Sequence, residues 1–294
     1  MASTTGGGSP TNNLIANNFI YNIVSNGTSG DQPVGIGVAG GFSDNIVFNS
    51  IAITGDMDGT GATAAATYGN AIRIANAAGT THQNLNLKNN SIYLDVTSNT
   101  TTLPYFAITV NSATYAFGSG GLNHNNYYIN SANTQLSTGG LTTNATAPTA
   151  PNTFATLALW QAALTPAQDA NSIQADPLYV SNTADLHIAS GSPNVNAGTA
   201  AGGVIEDIDG QLRVAAPDIG ADEPGGIAPP VNDIQAVALV SPASGSTVPA
   251  TTPFAPQASF RNLGTATQTN VPVRYRILDG MMQEVCNVTA TIPS

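Results

Sequence analysis

The chain has 294 residues and a formal net charge of −11, yet only 8% of its residues are charged, whereas about a quarter are charged in an ordinary soluble domain. Lys and Arg number six in all, too few to neutralise the phosphates of a nucleic acid. The single cysteine, Cys286, excludes an intrachain disulfide and a cysteine-based metal site, and no stretch approaches the roughly 20 apolar residues of a membrane span.

Four stretches resemble one another, because each alternates apolar and polar residues and carries an Asn or an Asn pair before its last apolar position. They are residues 12–20, 44–51, 86–92 and 122–129. Ile36, Ile72 and Ile108 follow at intervals of 36 residues, and Asn90 and Asn126 are separated by the same interval. A fixed period in the range of about 20–50 residues is typical of a solenoid. Because no helix-length segment lies between the strands, the sequence predicts a parallel β-helix over residues 1–145.

The Asn residues have a structural explanation in such a fold. Asn tolerates the left-handed backbone conformation of a tight corner. Asn side chains on successive coils can also hydrogen-bond to one another as a ladder. We therefore interpret the repeated Asn as scaffold rather than as ligand-binding residues.

Residues 146–223 are predicted to form the C-terminal part of the β-helix, with one short helix and closing loops. Thr153 is the expected N-cap, Phe154, Leu157, Trp160 and Leu164 follow at helical spacing, and Pro166 ends the run. Trp160 is expected in the core; the alternative is an exposed ring that stacks on a sugar.

Four motifs follow this helix in order: Ala175-Asp176-Pro177-Leu178-Tyr179-Val180, Leu186-His187-Ile188 with Gly191-Ser192-Pro193, Asp207-Ile208-Asp209-Gly210-Gln211-Leu212-Arg213, and Asp218-Ile219-Gly220-Ala221-Asp222-Glu223. Together they resemble the C-terminal end of bacterial secreted right-handed parallel β-helix proteins, over about Gly121 to Glu223. The resemblance implies a right-handed β-helix and an extracellular location.

Residues 224–231 read as a linker by their Pro and Gly content, and residues 232–294 contain alternating strands. Phe260-Arg261-Asn262-Leu263-Gly264-Thr265-Ala266 resembles the strand and turn of immunoglobulin-like (CARDB-type) adhesion modules of bacterial surface proteins. Such a sandwich needs about 7 strands and about 100 residues, so an incomplete β-sandwich is expected here. The predicted fold class is thus all-β: a right-handed parallel β-helix followed by a partial sandwich.

Candidate chemistry is sparse. Asp56 and Asp58, in Asp56-Met57-Asp58-Gly59, have the spacing of a calcium loop but lack its downstream Glu, so a solvated turn is the alternative to Ca²⁺ binding. Asp207 and Asp209 have a similar spacing, but Arg213 follows and Asp218, Asp222 and Glu223 lie nearby. These residues are expected to form a structural carboxylate–arginine network that closes the end of the β-helix; Ca²⁺ binding is the alternative. His82, His124 and His187 show no partner set in the sequence, and no other cofactor is indicated.

These features favour a non-catalytic, extracellular or cell-surface structural protein, an adhesin stalk or filament subunit. Its expected partners are further copies of itself, through strand addition at incomplete ends, or neighbouring domains of a larger surface protein. The alternative is a carbohydrate-active β-helix that binds or cleaves a polysaccharide. Against cleavage, the predicted coils hold only Arg73 and Lys88 as cations, although a lyase needs a basic residue and a carboxylate cluster.

Overall fold

The computed structural model describes residues 11–24, 32–56, 68–75, 84–97, 104–112, 115, 117–130, 136–142, 148–228, 231–243, 254–278, 281 and 283–293. The chain divides into two compact units, unit 1 (Met1–Ile227) and unit 2 (Ala228–Ser294). The boundary falls within the Pro- and Gly-rich segment 224–231. The start of that segment is tied to unit 1, because Ile227 and Leu212 exchange backbone hydrogen bonds of 2.8 and 2.9 Å.

Unit 1 contains fifteen described strands and one helix. In chain order they are β1 (Leu14–Ala16), β2 (Phe19–Ile20), β3 (Val34–Val38), β4 (Asn45–Val47), β5 (Ser50–Asp56), β6 (Gly69–Ile74), β7 (Leu85–Lys88), β8 (Ser91–Thr97), β9 (Tyr105–Val110), β10 (Phe117–Asn123), β11 (Asn126–Ile129), β12 (Leu136–Leu141), β13 (Thr153–Phe154), α1 (Leu157–Ala163), β14 (Tyr179–Ser181) and β15 (Asp185–Ile188). The predicted all-β class with one short helix is confirmed.

The first twelve strands form three parallel sheets that the chain visits in rotation. The sheet orders are β1-β4-β7-β10, β2-β5-β8-β11 and β3-β6-β9-β12, with β13 added antiparallel to β12. We call each passage through the three sheets a round, so that the described strands make four rounds. A parallel neighbour requires a crossover connection, and here that crossover is made by strands of the other two sheets.

Register confirms part of the predicted repeat and corrects the rest. Ile36 pairs with Ile72, and Ile72 pairs with Ile108, as the 36-residue interval predicts. The next partner of Ile108 is Gly139, so the interval is not constant. The predicted equivalence of Asn90 and Asn126 is wrong, since Asn126 pairs with Ser91. Rounds differ in length because the connecting segments differ in length, while the strands keep their pairing.

The core of unit 1 lies between the three sheets. Period-2 alternation sends every second side chain of a strand inward, and equivalent positions stack from round to round. One such column in the second sheet is Ile51, Ile92 and Tyr127, all fully buried. The third sheet contributes Ile72 and Ile108, also fully buried.

The turns between the first and second sheets, residues 17–18, 48–49, 89–90 and 124–125, form what we call the first corner. The first residue of each turn is left-handed: Asn17, Phe48, Asn89 and His124 have φ of 54°, 55°, 57° and 54°. The second residue is always Asn, and these side chains form a ladder. Its bonds join Asn18 to Asn49 at 2.7 Å, Asn49 to Asn90 at 2.9 Å and Asn90 to Asn125 at 3.1 Å. Both roles expected of Asn are confirmed, and they fall on different residues of the pair.

The helix begins later than predicted. Thr153 lies in β13, and the N-cap is Thr156, whose hydroxyl accepts a hydrogen bond from the N–H of Leu159 at 3.4 Å. The predicted burial of Trp160 is confirmed, because its side chain is fully buried. Its ring covers the backbone at Gly139, where a Cβ would lie 2.2 Å from a Trp160 ring atom. Glycine is therefore required at that point of β12.

Residues 169–227, here called the closing segment, lie along the first corner. Ile173 forms a bridge with Asn126 in round 4, Thr199 bonds Asn89 in round 3, and Asn17 in round 1 donates to the carbonyl of Glu206 at 2.7 Å. The closing segment therefore contacts the side of the rounds from round 4 back to round 1; that it closes an end of a β-helix stays a prediction. It runs back over the side of the rounds because the left-handed corner turns offer side chains and backbone groups there for hydrogen bonding.

The described residues of unit 2 form two antiparallel pairs, β16 (Ile234–Ser241) with β17 (Gln257–Asn262), and β18 (Val271–Leu278) with β19 (Glu284–Ile292). Residues of both pairs line an open, mainly apolar groove of about 710 Å³. Several large apolar side chains of the unit remain exposed, namely Val237, Leu239, Val240, Phe260 and Val288.

Candidate functional site

A buried carboxylate joins the helix to the last round. Asp169 is 1% exposed, and its Oδ2 accepts hydrogen bonds from Trp160 Nε1 at 3.0 Å and from the Tyr127 hydroxyl at 2.8 Å. Its Oδ1 accepts from the Ser172 hydroxyl. Burial raises the pKa of Asp169, while these hydrogen bonds oppose the rise. Its oxygens are engaged within the protein, so the arrangement is structural.

The predicted carboxylate–arginine network is confirmed for Arg213 and Glu223, whereas Asp209 bonds His187 instead. The Arg213 side chain is 3% exposed and its Nη1 lies 3.0 Å from Glu223 Oε2. Its Nη2 donates to Asn17 Oδ1 and to the carbonyls of Gly220 and Ala221, at 3.0 to 3.1 Å. Burial lowers the pKa of Arg213, and the charge of Glu223 counteracts that shift. The guanidinium thus fastens the closing segment to round 1.

Asp207 belongs to the same network through the backbone. Its Oδ1 accepts hydrogen bonds from the N–H groups of Asp209 and Gln211, and its Oδ2 accepts from the N–H of Glu223. Such bonds are typical of an Asx turn. Asp207 therefore shapes the loop and leaves Asp209 at its surface.

The structure brings together a histidine and three carboxylates that the sequence does not connect. His187 Nδ1 lies 2.5 Å from Asp185 Oδ1, and its Nε2 lies 2.9 Å from Asp209 Oδ2. One ligand atom each of His187, Asp209 and Asp222 lies within 4.8 Å of the others. The expectation that His187 has no partner set is wrong. We call His187, Asp185, Asp209 and Asp222 the histidine–carboxylate cluster.

The members of this cluster differ in exposure. Asp222 is 4% exposed, and its Oδ2 accepts a hydrogen bond from the N–H of Ile188 at 2.8 Å. The side chains of His187 and Asp209 are 36% and 48% exposed. Burial raises the pKa of Asp222. For His187, burial lowers the pKa, but bonds to Asp185 and Asp209 raise it by more, so that the net shift is upward. The cluster is the one group in the described part of the chain with the composition and spacing of a metal site.

The other sequence candidates are dispersed. His124 occupies the first corner, with Nδ1 3.0 Å from the carbonyl of Ala197, while His82 lies outside the described residues. Asp56 ends β5 with an exposed side chain, and Asp58 lies outside the described residues. Arg73 lies on the third sheet, beside Gln32 and with its guanidinium carbon 5.7 Å from the centre of the Tyr68 ring. Lys88 ends β7 on the first sheet, so the two cations do not share a face.

A cluster of tyrosines lies on the outer face of the second sheet. Tyr93 and Tyr128 are register partners whose ring centres are 4.9 Å apart, and Tyr179 of β14 lies 6.4 Å from Tyr93. Asp95, two residues along β8, accepts a hydrogen bond from Asn130 at 2.8 Å. Burial, helped by the charge of Asp95, raises the pKa of Tyr93 to about 12. The alternation Ser91-Ile92-Tyr93-Leu94-Asp95 indicates that Tyr93 and Asp95 share one face of β8. The other two tyrosines come from distant parts of the sequence, so the pattern does not indicate them.

Comparisons with known proteins give no relative, as no family model matches the sequence and neither a curated protein nor a solved structure is significantly similar to it. Among the described residues, no helix has both the length and the apolar character needed to cross a membrane.

Proposed function

We propose that unit 1 is a right-handed parallel β-helix and that unit 2 is part of an immunoglobulin-like sandwich. We propose further that the chain is a non-catalytic structural protein of the bacterial cell surface or of an extracellular filament. Rotation of the chain through three parallel sheets supports the first part. The second part rests on how the polar side chains of unit 1 are used.

The observation that carries the proposal is that the buried polar side chains of unit 1 form hydrogen bonds and ion pairs within the protein and so join its parts. The Asn ladder joins all four rounds, Asp169 holds the helix, and Arg213 with Glu223 holds the closing segment. An active site instead directs such groups towards a substrate, with pKa values set for proton transfer. A surface that is polar yet poor in charge also suits a long-lived extracellular scaffold.

The open groove of unit 2 supports an assembling role. Phe260 and Val288, which line it, are 37% and 42% exposed, and a sandwich covers such side chains with further strands. In our proposal those strands come from a second copy of the chain or from neighbouring domains of a larger surface protein. Added strands gain backbone hydrogen bonds as well as apolar contact.

Size-exclusion chromatography with light scattering tests the assembling role. We expect a concentration-dependent shift from monomer to oligomer, reduced by at least about 10-fold in apparent affinity for Val288→Ser, because burial of a Val side chain contributes about 1.5–3 kcal/mol. Ile205→Ser, at an exposed position of unit 1, is the matched control. A monomer at every concentration, or equal behaviour of the two variants, would contradict assembly through the groove. Release of unsaturated sugars from any polysaccharide, with or without Ca²⁺, would contradict the non-catalytic assignment.

The tyrosines of the second sheet favour a second candidate function, the binding of a polysaccharide. Tyr128 is partly exposed and packs on Tyr93, which is 9% exposed, and Asp95 and Asn130 add polar groups beside them. Aromatic residues of this kind bury apolar surface while keeping a polar tip. The negative charge of Asp95 favours a neutral glycan over a polyuronate.

Glycan-array binding tests this candidate. Tyr128→Ala is expected to weaken binding by about 5-fold or more, because it removes one ring contact of about 1 kcal/mol or more. Tyr275→Ala in unit 2 is the control and should leave binding unchanged. Absence of any glycan ligand, or equal loss in both variants, would remove the candidate.

A further inference from the structure

We propose that His187, Asp209 and Asp222 bind a divalent transition-metal ion, with Zn²⁺ as the ion that suits them best. The ion would join β15 to two turns of the closing segment. The inference does not depend on the proposed function, because it rests only on the geometry and charge of the histidine–carboxylate cluster.

The distances suit a small ion. Zn²⁺ binds imidazole nitrogen and carboxylate oxygen at about 2.0–2.2 Å, and two ligands of a tetrahedral ion are therefore roughly 3.4 Å apart. His187 Nε2 and Asp209 Oδ2 are 2.9 Å apart, and the three ligand atoms lie within 4.8 Å of one another. The 2.9 Å separation is that of a direct hydrogen bond, so His187 Nε2 and Asp209 Oδ2 would move apart by roughly 0.5 Å to admit an ion between them.

The orientation of the imidazole also suits a metal. Asp185 lies 2.5 Å from Nδ1, so that nitrogen donates its N–H to a carboxylate. A carboxylate that holds one ring nitrogen and directs the other towards the ion is the usual support of a metal-bound histidine. Phe19 packs edge-on against the ring, with centres 4.8 Å apart, and further restricts its rotation.

Charge is compatible with a bound cation. Carboxylates lie against both nitrogens of the His187 ring, and a carboxylate oxygen of Asp222 lies within reach of the same site. A divalent ion bound by Asp209 and Asp222 would neutralise these two carboxylates.

The two acidic ligands are held from outside the site. The N–H of Ile188 fixes Asp222, and the turn shaped by Asp207 places Asp209 opposite it. Because His187 and Asp209 are partly exposed, water can complete the coordination. A nitrogen ligand among carboxylates favours Zn²⁺ and its transition-metal neighbours over Ca²⁺ and Mg²⁺, which prefer oxygen alone.

Binding would stabilise a chain that has no disulfide. An ion that binds only the folded state stabilises that state in proportion to the logarithm of its concentration. Here it would connect residues separated by up to 35 positions, from His187 to Asp222. The site would then cross-link β15 to the turns that contain Asp209 and Asp222.

Calorimetric titration of the full chain, treated first with chelator, with Zn²⁺ at pH 7.5 tests the proposal. We expect one site per chain with a Kd below about 10 µM, and a higher melting temperature with Zn²⁺ than with chelator. His187→Gln is expected to weaken binding by at least about 100-fold and Asp209→Asn by at least about 10-fold. His124→Gln, at the other described histidine, is the matched control and should bind as the parent does. Co²⁺ substitution should give an absorption spectrum of nitrogen and oxygen ligands, which a structural ion pair would not produce.

Several outcomes would overturn the assignment. One is the absence of Zn²⁺ binding tighter than about 100 µM. Another is equal affinity in the parent, His187→Gln and Asp209→Asn chains. A third is equal or tighter binding of Ca²⁺. If His187→Gln fails to fold, Asp209→Asn decides, because its exposed side chain contributes little to packing.

Discussion

Replacement of Asn90 by alanine tests whether the Asn ladder is a main source of stability in unit 1. Asn90 is fully buried in the middle of the ladder. Its Nδ2 donates to the carbonyls of Ile46 at 2.9 Å and Lys88 at 3.1 Å, and to Asn125 Oδ1 at 3.1 Å. Its Oδ1 accepts from Asn49 Nδ2 at 2.9 Å. The same Oδ1 accepts from the N–H of Asn49 at 3.3 Å. Alanine removes all five hydrogen bonds.

The expected cost follows from the groups left behind. A buried polar group that loses its partner destabilises the folded state by about 1–3 kcal/mol. Asn49 Nδ2 retains bonds to the carbonyls of Ile15 and Val47. The Lys88 carbonyl keeps the N–H of Phe48, and Asn125 Oδ1 keeps the backbone N–H of residue 90. The main losses are therefore at the carbonyl of Ile46 and at the N–H of Asn49. We therefore expect Asn90→Ala to lower the free energy of unfolding by about 4 kcal/mol.

Asn18 at the exposed end of the same ladder provides the matched control. Its Nδ2 bonds the carbonyl of Ala16 and Asn49 Oδ1, but water can replace it there, so Asn18→Ala should cost less than about 1 kcal/mol. Urea unfolding followed by the fluorescence of Trp160, the only tryptophan, reports on unit 1 without interference from unit 2. Equal costs for the two variants would refute the view that the buried ladder holds the rounds together.

Two further changes test other parts of unit 1. Gly139→Ala should lower the free energy of unfolding by about 2–3 kcal/mol, since its Cβ would lie 2.2 Å from the Trp160 ring, whereas Gly191→Ala, in open space, should change it by less than about 0.5 kcal/mol; equal melting temperatures would contradict the close approach. Burial raises the pKa of Asp218 to about 6 from its usual 3.8, so the folded state binds this proton more tightly and loses stability as pH rises from about 4 to 6. In urea unfolding, the free energy of unfolding of Asp218→Asn minus that of the parent chain should therefore rise by about 2 kcal/mol between pH 4 and 7.5. Asp95→Asn is the comparison. Parallel pH profiles for the Asp218 variant and its parent would contradict the shift.

The strands and the Asn ladder could be predicted because both follow from patterns of residues that are close together in the sequence. Alternation of apolar and polar residues requires only neighbours in sequence, and an Asn recurs at the second position of each turn from the first sheet to the second. Helical spacing also predicts α1, but it starts the helix three residues early. Thr153 and Thr156 are both acceptable N-caps, and the pairing of Thr153 with Gly140 in β13 decided between them.

The length of each round could not be predicted, since it depends on connections that obey no pattern. Ladder neighbours are 31, 41 and 35 residues apart, while the third sheet keeps 36 for two intervals. The constant interval therefore led to the pairing of Asn90 with Asn126 instead of Asn125. A shift of one residue reverses the face of a strand, and the true register keeps Tyr127 inside and Tyr128 outside.

The histidine–carboxylate cluster was missed for a related reason. Asp185 is two residues from His187 and could have been noticed, because that spacing puts both side chains on one face of a strand. Asp209 and Asp222 approach the same ring only because the closing segment folds back along the first corner. Nothing in the local sequence indicates that return.

The first corner explains why the left-handed position is not always Asn. Asn17 accepts a bond from Arg213, Asn89 exchanges two bonds with Thr199, and the ring of His124 meets the carbonyl of Ala197. Each of these side chains therefore holds the closing segment as well as turning the chain. Phe48 differs from these three residues, because its side chain cannot form such a hydrogen bond. A bulky residue is also strained in the left-handed conformation.

The position of Phe48 beneath Arg213 accounts for its retention at the corner. The guanidinium carbon lies 4.0 Å from the centre of the Phe48 ring, and a desolvated cation–π contact of this kind contributes about 2 kcal/mol, which offsets backbone strain of about 1–3 kcal/mol. An Asn at this position would relieve the strain but would leave the flat face of the guanidinium without a partner. The residue at each corner is therefore selected by what the closing segment places above it, as much as by the turn itself.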